Sequence, residues 1–408
     1  METVSPASVG ASTKRLKFMD SAMQRYVDEG KVAGIVTVLS RRGQVFHVGC
    51  YGMADRENAI PMQTDTIFRI WSVTKAITAV AVLMLYEEGE FVLDQDITDF
   101  IPSFKNTRVY VGMDGDQPEL VDKERPITIR QLLTHSAGIP FGFSANMTYP
   151  EQAMQKYMTT LKQPGTELKE LVDKFAEIPL VAQPNTLWHY GMGFELLARL
   201  VEIVSGQCYQ NFLRDRIFEP LGMVDANYVL KKKDLPRMSA LYRPREDGTI
   251  ERCQPPEDEV YVTRNGRVPP GYWTPGGAGL DATPADLLRF AHMLYHRGTV
   301  DGVRILAPTT VELMASNHLP PALIPYRFSG AQPMYGYGHG LGVHTLTDHG
   351  LAGLPCANGE FWKDGGAGTL FWVDPRNDLV GLVMYQLHNF WIHPIYGKAR
   401  AIAYQALE

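Results

Sequence analysis

Apolar residues recur at helical spacing over residues 17–30, and the pattern then changes to β-rich runs at 34–39 and 44–48. That change of period predicts a helix followed by a β-hairpin, with Arg41, Arg42 and Gly43 at its turn. An apolar run over 76–86 predicts a helix with little polar face, and helical spacing returns at 127–133, 195–204 and 211–218. The 284–297 segment also reads as a helix, opened by Thr283 as a cap and Pro284 at the first helical position. Strand signals reappear at 369–373 and 379–385 around Asp374, Pro375, Arg376 and Asn377, which predicts a second hairpin. The expected fold class is α+β, an antiparallel sheet built from both ends of the sequence and flanked by helices, with a mainly helical segment inserted. The boundaries this implies are 1–95 and 271–408 for an α/β sheet subdomain and 96–270 for a helical subdomain, with a functional cleft between them. Residues 106–124 and 140–170 carry no clear period and are expected to be loops over a pocket. No internal repeat or low-complexity tract is present.

Composition narrows the class. With 408 residues, 45% hydrophobic content and a net charge of −6, the chain can bury a large core and is expected to be soluble. Its mildly acidic balance offers no basic stripe for nucleic acid, and Lys231, Lys232 and Lys233 read as a solvated loop. No run of about twenty apolar residues predicts a membrane span. Residues 1–17 lack the basic-then-apolar order of a signal peptide, so a cytoplasmic location is expected. Cys50, Cys208, Cys253 and Cys356 show no C-x-x-C spacing, so reduced thiols are expected rather than a zinc site or disulfide framework. No metal or other cofactor is expected.

Three groups of residues carry candidate chemistry. Ser72, Val73, Thr74 and Lys75 form an S-x-x-K tetrad at the head of the 76–86 run. On a helix, positions three apart share a face, so the lysine amine can reach the serine hydroxyl and act as the base that an alcohol nucleophile needs. The helix N-terminus adds free N–H groups and a positive dipole end suited to the negative charge on an attacked carbonyl. Tyr190, within Trp188, His189, Tyr190, Gly191 and Met192, lies just ahead of another helix. A tyrosine beside an ammonium can have its pKa lowered and so shuttle a proton. Lys363, Asp364, Gly365, Gly366, Ala367 and Gly368 precede a strand, where glycine lets the backbone approach a ligand and present N–H groups to an oxyanion. Each group also has a plain structural reading: a capping serine with a surface lysine, a half-buried aromatic, a turn entering a strand. His135 reads as a structural histidine at a helix end. There is no G-x-S-x-G, which removes the α/β-hydrolase nucleophile elbow.

Taken in order, the three groups resemble the serine β-lactamase and penicillin-binding-protein superfamily. The nearest likeness is to its class C-like branch of family VIII carboxylesterases and statin side-chain acyltransferases. Its motifs run S-x-x-K, then Y-x-N or a relaxed Y-x-x, then K-T-G or W-G-G. Ser72 to Lys75, Tyr190 to Met192 and Lys363 to Gly365 follow that order. Phe68, Arg69 and Ile70 are also similar to the family, as are Leu132, Leu133, Thr134, His135, Ser136, Ala137 and Gly138, and Phe371, Trp372, Val373, Asp374 and Pro375; the likeness spans residues 15–405. The resemblance implies a β-lactamase/transpeptidase-like fold and a two-step acyl transfer. In it Ser72 is the nucleophile, Lys75 and Tyr190 handle protons, and the N–H groups of Ser72 and Gly366 hold the oxyanion.

Departures bear on the substrate. Met192 stands where β-lactamases have asparagine, and Asp364 where they have the hydroxyl that receives the drug's carboxylate. Lys363 keeps the basic residue of K-T-G, so the third motif is a hybrid. Trp71, Phe141, Phe143, Trp188 and Trp273 lie near the motifs and are candidates for lining an apolar substrate pocket, or plain core. The expected function is a carboxylesterase acting on a small-molecule ester, with acyl transfer to an alcohol as the alternative. A β-lactamase, a D-alanyl-D-alanine peptidase and a catalytically silent binding module follow further behind.

Overall fold

The computed structural model describes residues 1–144, 146–161, 165–253, 262–263, 268 and 271–408. Both β-rich regions enter one sheet of eight strands: β1 (Gly34–Arg41), β2 (Gln44–Asp55), β3 (Ile60–Pro61), β4 (Tyr337–His339), β5 (His344–Leu346), β6 (Phe361–Gly365), β7 (Thr369–Asp374) and β8 (Leu379–Met384). The order is β4-β5-β6-β7-β8-β1-β2-β3, antiparallel throughout. The distant halves join at β8 and β1, where Val36 faces Met384 and Arg41 faces Leu379. Helices α1 (Thr13–Asp28), α4 (Pro284–Tyr295) and α5 (Ile395–Gln405) pack on the sheet, and α2 (Thr74–Glu87) packs against α3 (Gly193–Ser205).

Period-2 alternation divides the strands between two cores. Ile35, Leu39, Leu370, Trp372 and Val383 pack with Met19 and Met23 of α1 and Ala399 and Ala403 of α5. Val36, Val38, Phe371, Val373 and Leu382 face the other way, into an apolar cluster with α2, α3 and α4. Every residue of α2 from Thr74 to Leu85 is buried, which is why its sequence shows no polar stripe. Both predicted hairpins form. Arg42 (φ 53°) and Gly43 (φ 74°) take the two positive-φ positions of a tight β1–β2 turn. Asp374 accepts from the backbone N–H groups of Arg376 and Asn377 at 3.0 Å each and so shapes the β7–β8 turn. The Thr283 cap is present too, with Asp286 completing a capping box.

Other expectations need correction. The stretch expected as a loop over 106–124 contains the antiparallel pair Val109–Asp114 and Gln117–Val121, which is wet on both faces and so shows no clean alternation. Within 140–170 lies the helix Tyr149–Thr160, which buries only Pro150, Glu151 and Met154, too thin an apolar stripe to register as a period. The helix expected over 211–218 is α-helical at Tyr209–Leu213 and continues as a π-helical turn, Arg214–Phe218. The inserted segment is therefore not purely helical, since it also carries the hairpin Tyr242–Pro244 with Ile250–Arg252. Among the described residues no helix is long and apolar enough to cross a membrane.

Candidate active site

Ser72 does not sit inside α2 but in a 3-10 turn, Trp71–Val73, that feeds it. Lys75 follows in the first turn of α2, so the tetrad spacing still brings the two side chains together. The Lys75 ammonium donates to Ser72 Oγ at 3.3 Å and to the Gly277 carbonyl at 2.6 Å. Trp71 holds φ at 41°, a left-handed conformation costly for a residue with a side chain, and its ring rests on His388 at 5.1 Å.

Tyr190 completes the constellation, its hydroxyl 2.6 Å from Ser72 Oγ. Its loop is pinned from below. His189 N–H donates to the His135 carbonyl (2.8 Å) and Met192 N–H to the Pro140 carbonyl (3.2 Å). A Cβ on Gly191 would lie 1.8 Å from the Ile139 carbonyl oxygen, so only glycine fits there. His135 is buried, accepts from Gly191 N–H through Nδ1 at 3.4 Å, and sets its ring 4.5 Å from that of Tyr190. Phe141 and Phe328 flank the same tyrosine at 5.1 and 5.3 Å.

The strand β6 supplies the third group. Lys363 is 1% exposed and points to the Tyr190 side, its Nζ 5.6 Å from the ring centroid. Asp364 follows it in the strand, is half-buried, and its charge acts on Lys363 and Tyr190. Gly365 must be glycine, because a Cβ would fall 2.2 Å from the Ile70 carbonyl oxygen. Gly366 lies beyond the strand, a Cβ there reaching 3.2 Å from the Trp71 ring, and its N–H donates to no other described residue.

Burial dominates the electrostatics. It pulls the Lys75 amine below the ordinary lysine range, opposed by the charges of Glu195 and Asp364. Glu195 is itself raised by burial, against the pull of Lys75 and of two backbone N–H groups. The Tyr190 phenol, expected to be lowered by an ammonium, is instead raised: burial outweighs the downward pulls of Lys363 and the Ser72 hydrogen bond. Burial also lowers Lys363 and raises Asp364.

The structure gathers Ser72, Lys75, Tyr190 and Lys363, with Gly365 and Gly366 packed beside them. The aromatic candidates scatter. Trp71 is half-buried next to Ser72, Phe141 touches Tyr190, and Phe143 stands exposed against Phe141 at 5.4 Å. Trp188 is 4% exposed, its ring 6.3 Å from that of Tyr190 and 4.5 Å from that of Tyr326, and Trp273 is buried in the cluster that holds α2 and α3. Sequence reading missed Glu195, whose carboxylate accepts from Gly276 and Gly277 N–H and so fixes the carbonyl that Lys75 uses. A carboxylate amid the apolar face of α3 was the available signal. His344 and Phe328 gave none.

A beta-lactamase family model matches residues 19–394. Among curated relatives, lovastatin esterase from Penicillium rubens is 30% identical over 94% of this chain and 99% of its own length. Monacolin J acid methylbutanoyltransferase from Aspergillus terreus is 27% identical over 94% of each. Among solved structures, EstCE1, described as a hydrolase with promiscuous acyltransferase activity, superposes with a TM-score of 0.78 at 23% identity, covering 96% of this chain and 98% of its own. A family match over nearly the whole length, on a fold of that shape, means that the chain belongs to the beta-lactamase family.

Proposed function

We propose that the protein is a carboxylic ester hydrolase working through an acyl-enzyme on Ser72, in a cleft between the sheet and the inserted residues 96–270 that carry Tyr190. The observation that carries this reading is the position of Ser72 Oγ, 2.6 Å from the Tyr190 hydroxyl and 3.3 Å from the Lys75 ammonium. Ser72 Oγ attacks the ester carbonyl, and its proton passes to Tyr190 as the Tyr190 proton moves to a neutral Lys75. Burial of that lysine favours the neutral form the step requires. The carbonyl oxygen takes its negative charge against the N–H groups of Ser72 and Gly366, each such donor typically lowering a barrier by about 3 kcal/mol. The alkoxide leaves with a proton returned along the same path, and water then releases the acid.

The names of the relatives support ester chemistry, and the transferase among them supports a second reading in which an alcohol replaces water. The cytoplasm is the compartment this reading assumes. A fluorophosphonate probe should label Ser72, and Ser72→Ala should abolish both labelling and turnover of 4-nitrophenyl butyrate. An adduct mapped to Ser136, Ser144 or any other serine would overturn the proposal. Adding a bulky alcohol separates the two readings: a transesterified product in excess of the free acid marks a transferase.

A further inference from the structure

Lys363 is buried, and the contacts of its ammonium lie inward. Its Nζ lies 3.3 Å from Nε2 of His344, whose Nδ1 is 2.6 Å from the Tyr326 hydroxyl; that hydroxyl in turn lies 3.4 Å from the Gly338 carbonyl. An ammonium only donates, so His344 accepts at Nε2 and carries its proton on Nδ1, donating to Tyr326 while Tyr326 donates to Gly338. His344 and Tyr326 are 0% and 2% exposed, and the imidazole stacks on Trp362 at 4.3 Å and Tyr326 at 5.8 Å, which leaves it a single orientation.

We infer that His344 is a positioning residue. As the neutral Nδ1–H imidazole it anchors the Lys363 ammonium beside the Tyr190 ring, so Lys363 favours ionisation of Tyr190 during proton transfer and does not anchor a substrate carboxylate. This rests on reading Tyr190 as the proton carrier. Other titratable groups facing Lys363 and Tyr190 are Lys75 on α2, Glu195 on α3, Asp364 on β6, His339 on β4 and His135 beneath the Tyr190 loop. His135, His339 and His344 are all held below the ordinary histidine range by burial, with Lys363 pushing the same way, so they stay neutral while the lysine is charged. Withdrawing the Lys363 charge removes a push toward neutral Lys75 and ionised Tyr190, so the pKa of each rises.

The test is the pH–rate profile of His344→Phe, Tyr326→Phe and Lys363→Met with neutral 4-nitrophenyl butyrate, together with KM for the monoanionic 4-nitrophenyl hemisuccinate. His344→Phe and Lys363→Met should each move the ascending limb of kcat/KM up by about one pH unit and lower kcat near neutrality about tenfold. KM for both esters should stay unchanged, and the double variant should add nothing. Tyr326→Phe, which removes one hydroxyl and no ring, should shift the limb the same way by less; if His344→Phe does not fold, this variant and Lys363→Met decide. A rate loss equal at every pH would make His344 purely structural. An unmoved limb with KM raised for the anionic ester alone would make Lys363 a substrate anchor. Either result overturns the proposal. Failure of the site reading itself is seen separately, as probe labelling away from Ser72 in the unaltered protein.

Discussion

At the scale of single residues, the mechanism proposed above makes a proton-transfer unit out of common side chains through burial and contact. Desolvation displaces Lys75 toward its neutral form and Tyr190 toward its protonated form. On that mechanism neither group works without the other. Lys75→Ala and Tyr190→Phe should each lower kcat about a hundredfold or more, and the double variant should lose little beyond the worse single one. Steady-state kinetics of the four proteins checks this, and additive losses would mean that the two act independently. The tetrad was legible because it is local: three residues along a helix is a contact whatever the rest of the chain does. Tyr190 and Lys363 were legible through the order of the motifs. Glu195 and His344 were not, because their partners, Gly276, Gly277, Lys363 and Tyr326, are distant in the chain and are joined by the fold alone.

At the scale of elements, α4 shows how a helix is docked by more than apolar contact. Its Leu287, Phe290, Ala291 and Leu294 are buried, and beside them His292 Nε2 lies 2.8 Å from Ser40 Oγ of β1. Burial lowers the His292 pKa to about 4, with His296 and Arg289 adding to the shift. In the unfolded chain that histidine titrates near 6.5, so the folded protein binds fewer protons between the two values and stability falls as pH drops through this window. The loss grows from about pH 6.5 and levels off below about 4, reaching roughly 3 kcal/mol for this group. Urea unfolding at pH 8 and pH 5 should show a smaller acid loss for His292→Gln than for the unaltered protein. An equal loss in both would mean that His292 protonates without leaving its place. Strong elements were readable because a continuous run of apolar or β-branched residues defines α2 and β1, an apolar face defines α3, and a single turn defines each of the two hairpins. The hairpin Val109–Asp114 with Gln117–Val121 and the helix Tyr149–Thr160 were not, because solvent surrounds most of their residues and the sequence has little to alternate between.

At the scale of the molecule, charge and shape select the same substrates. A net charge of −6 disfavours the approach of anions, Tyr190 is walled by Phe141, Phe328 and a neutral His135, and Lys363 is engaged inward with His344. Met192 offers no amide to hold a β-lactam side chain. Esters of uncharged acids should therefore exceed nitrocefin in kcat/KM by about tenfold or more, a difference of roughly 1.4 kcal/mol in transition-state binding. The comparison is made with 4-nitrophenyl butyrate and nitrocefin on one preparation. Equal or faster nitrocefin turnover would show that the second and third motifs still serve β-lactams.

The seam where β1 meets β8 has a temporal consequence. Val36 waits for Met384, roughly 350 residues later, so the centre of the sheet closes over one of the longest spans the chain allows. A ribosome adding about 5–20 residues per second leaves the β1–β2 hairpin without its inner neighbour for about twenty seconds to a minute. Throughout that interval β1, a strand almost wholly buried in the finished fold, presents an open edge able to pair with any other strand it meets. The protein's hazard in production is thus set by synthesis rather than by the finished fold: slower elongation or a crowded polysome should divert more chains into aggregates, while the completed sheet, once closed, hides the edge for good.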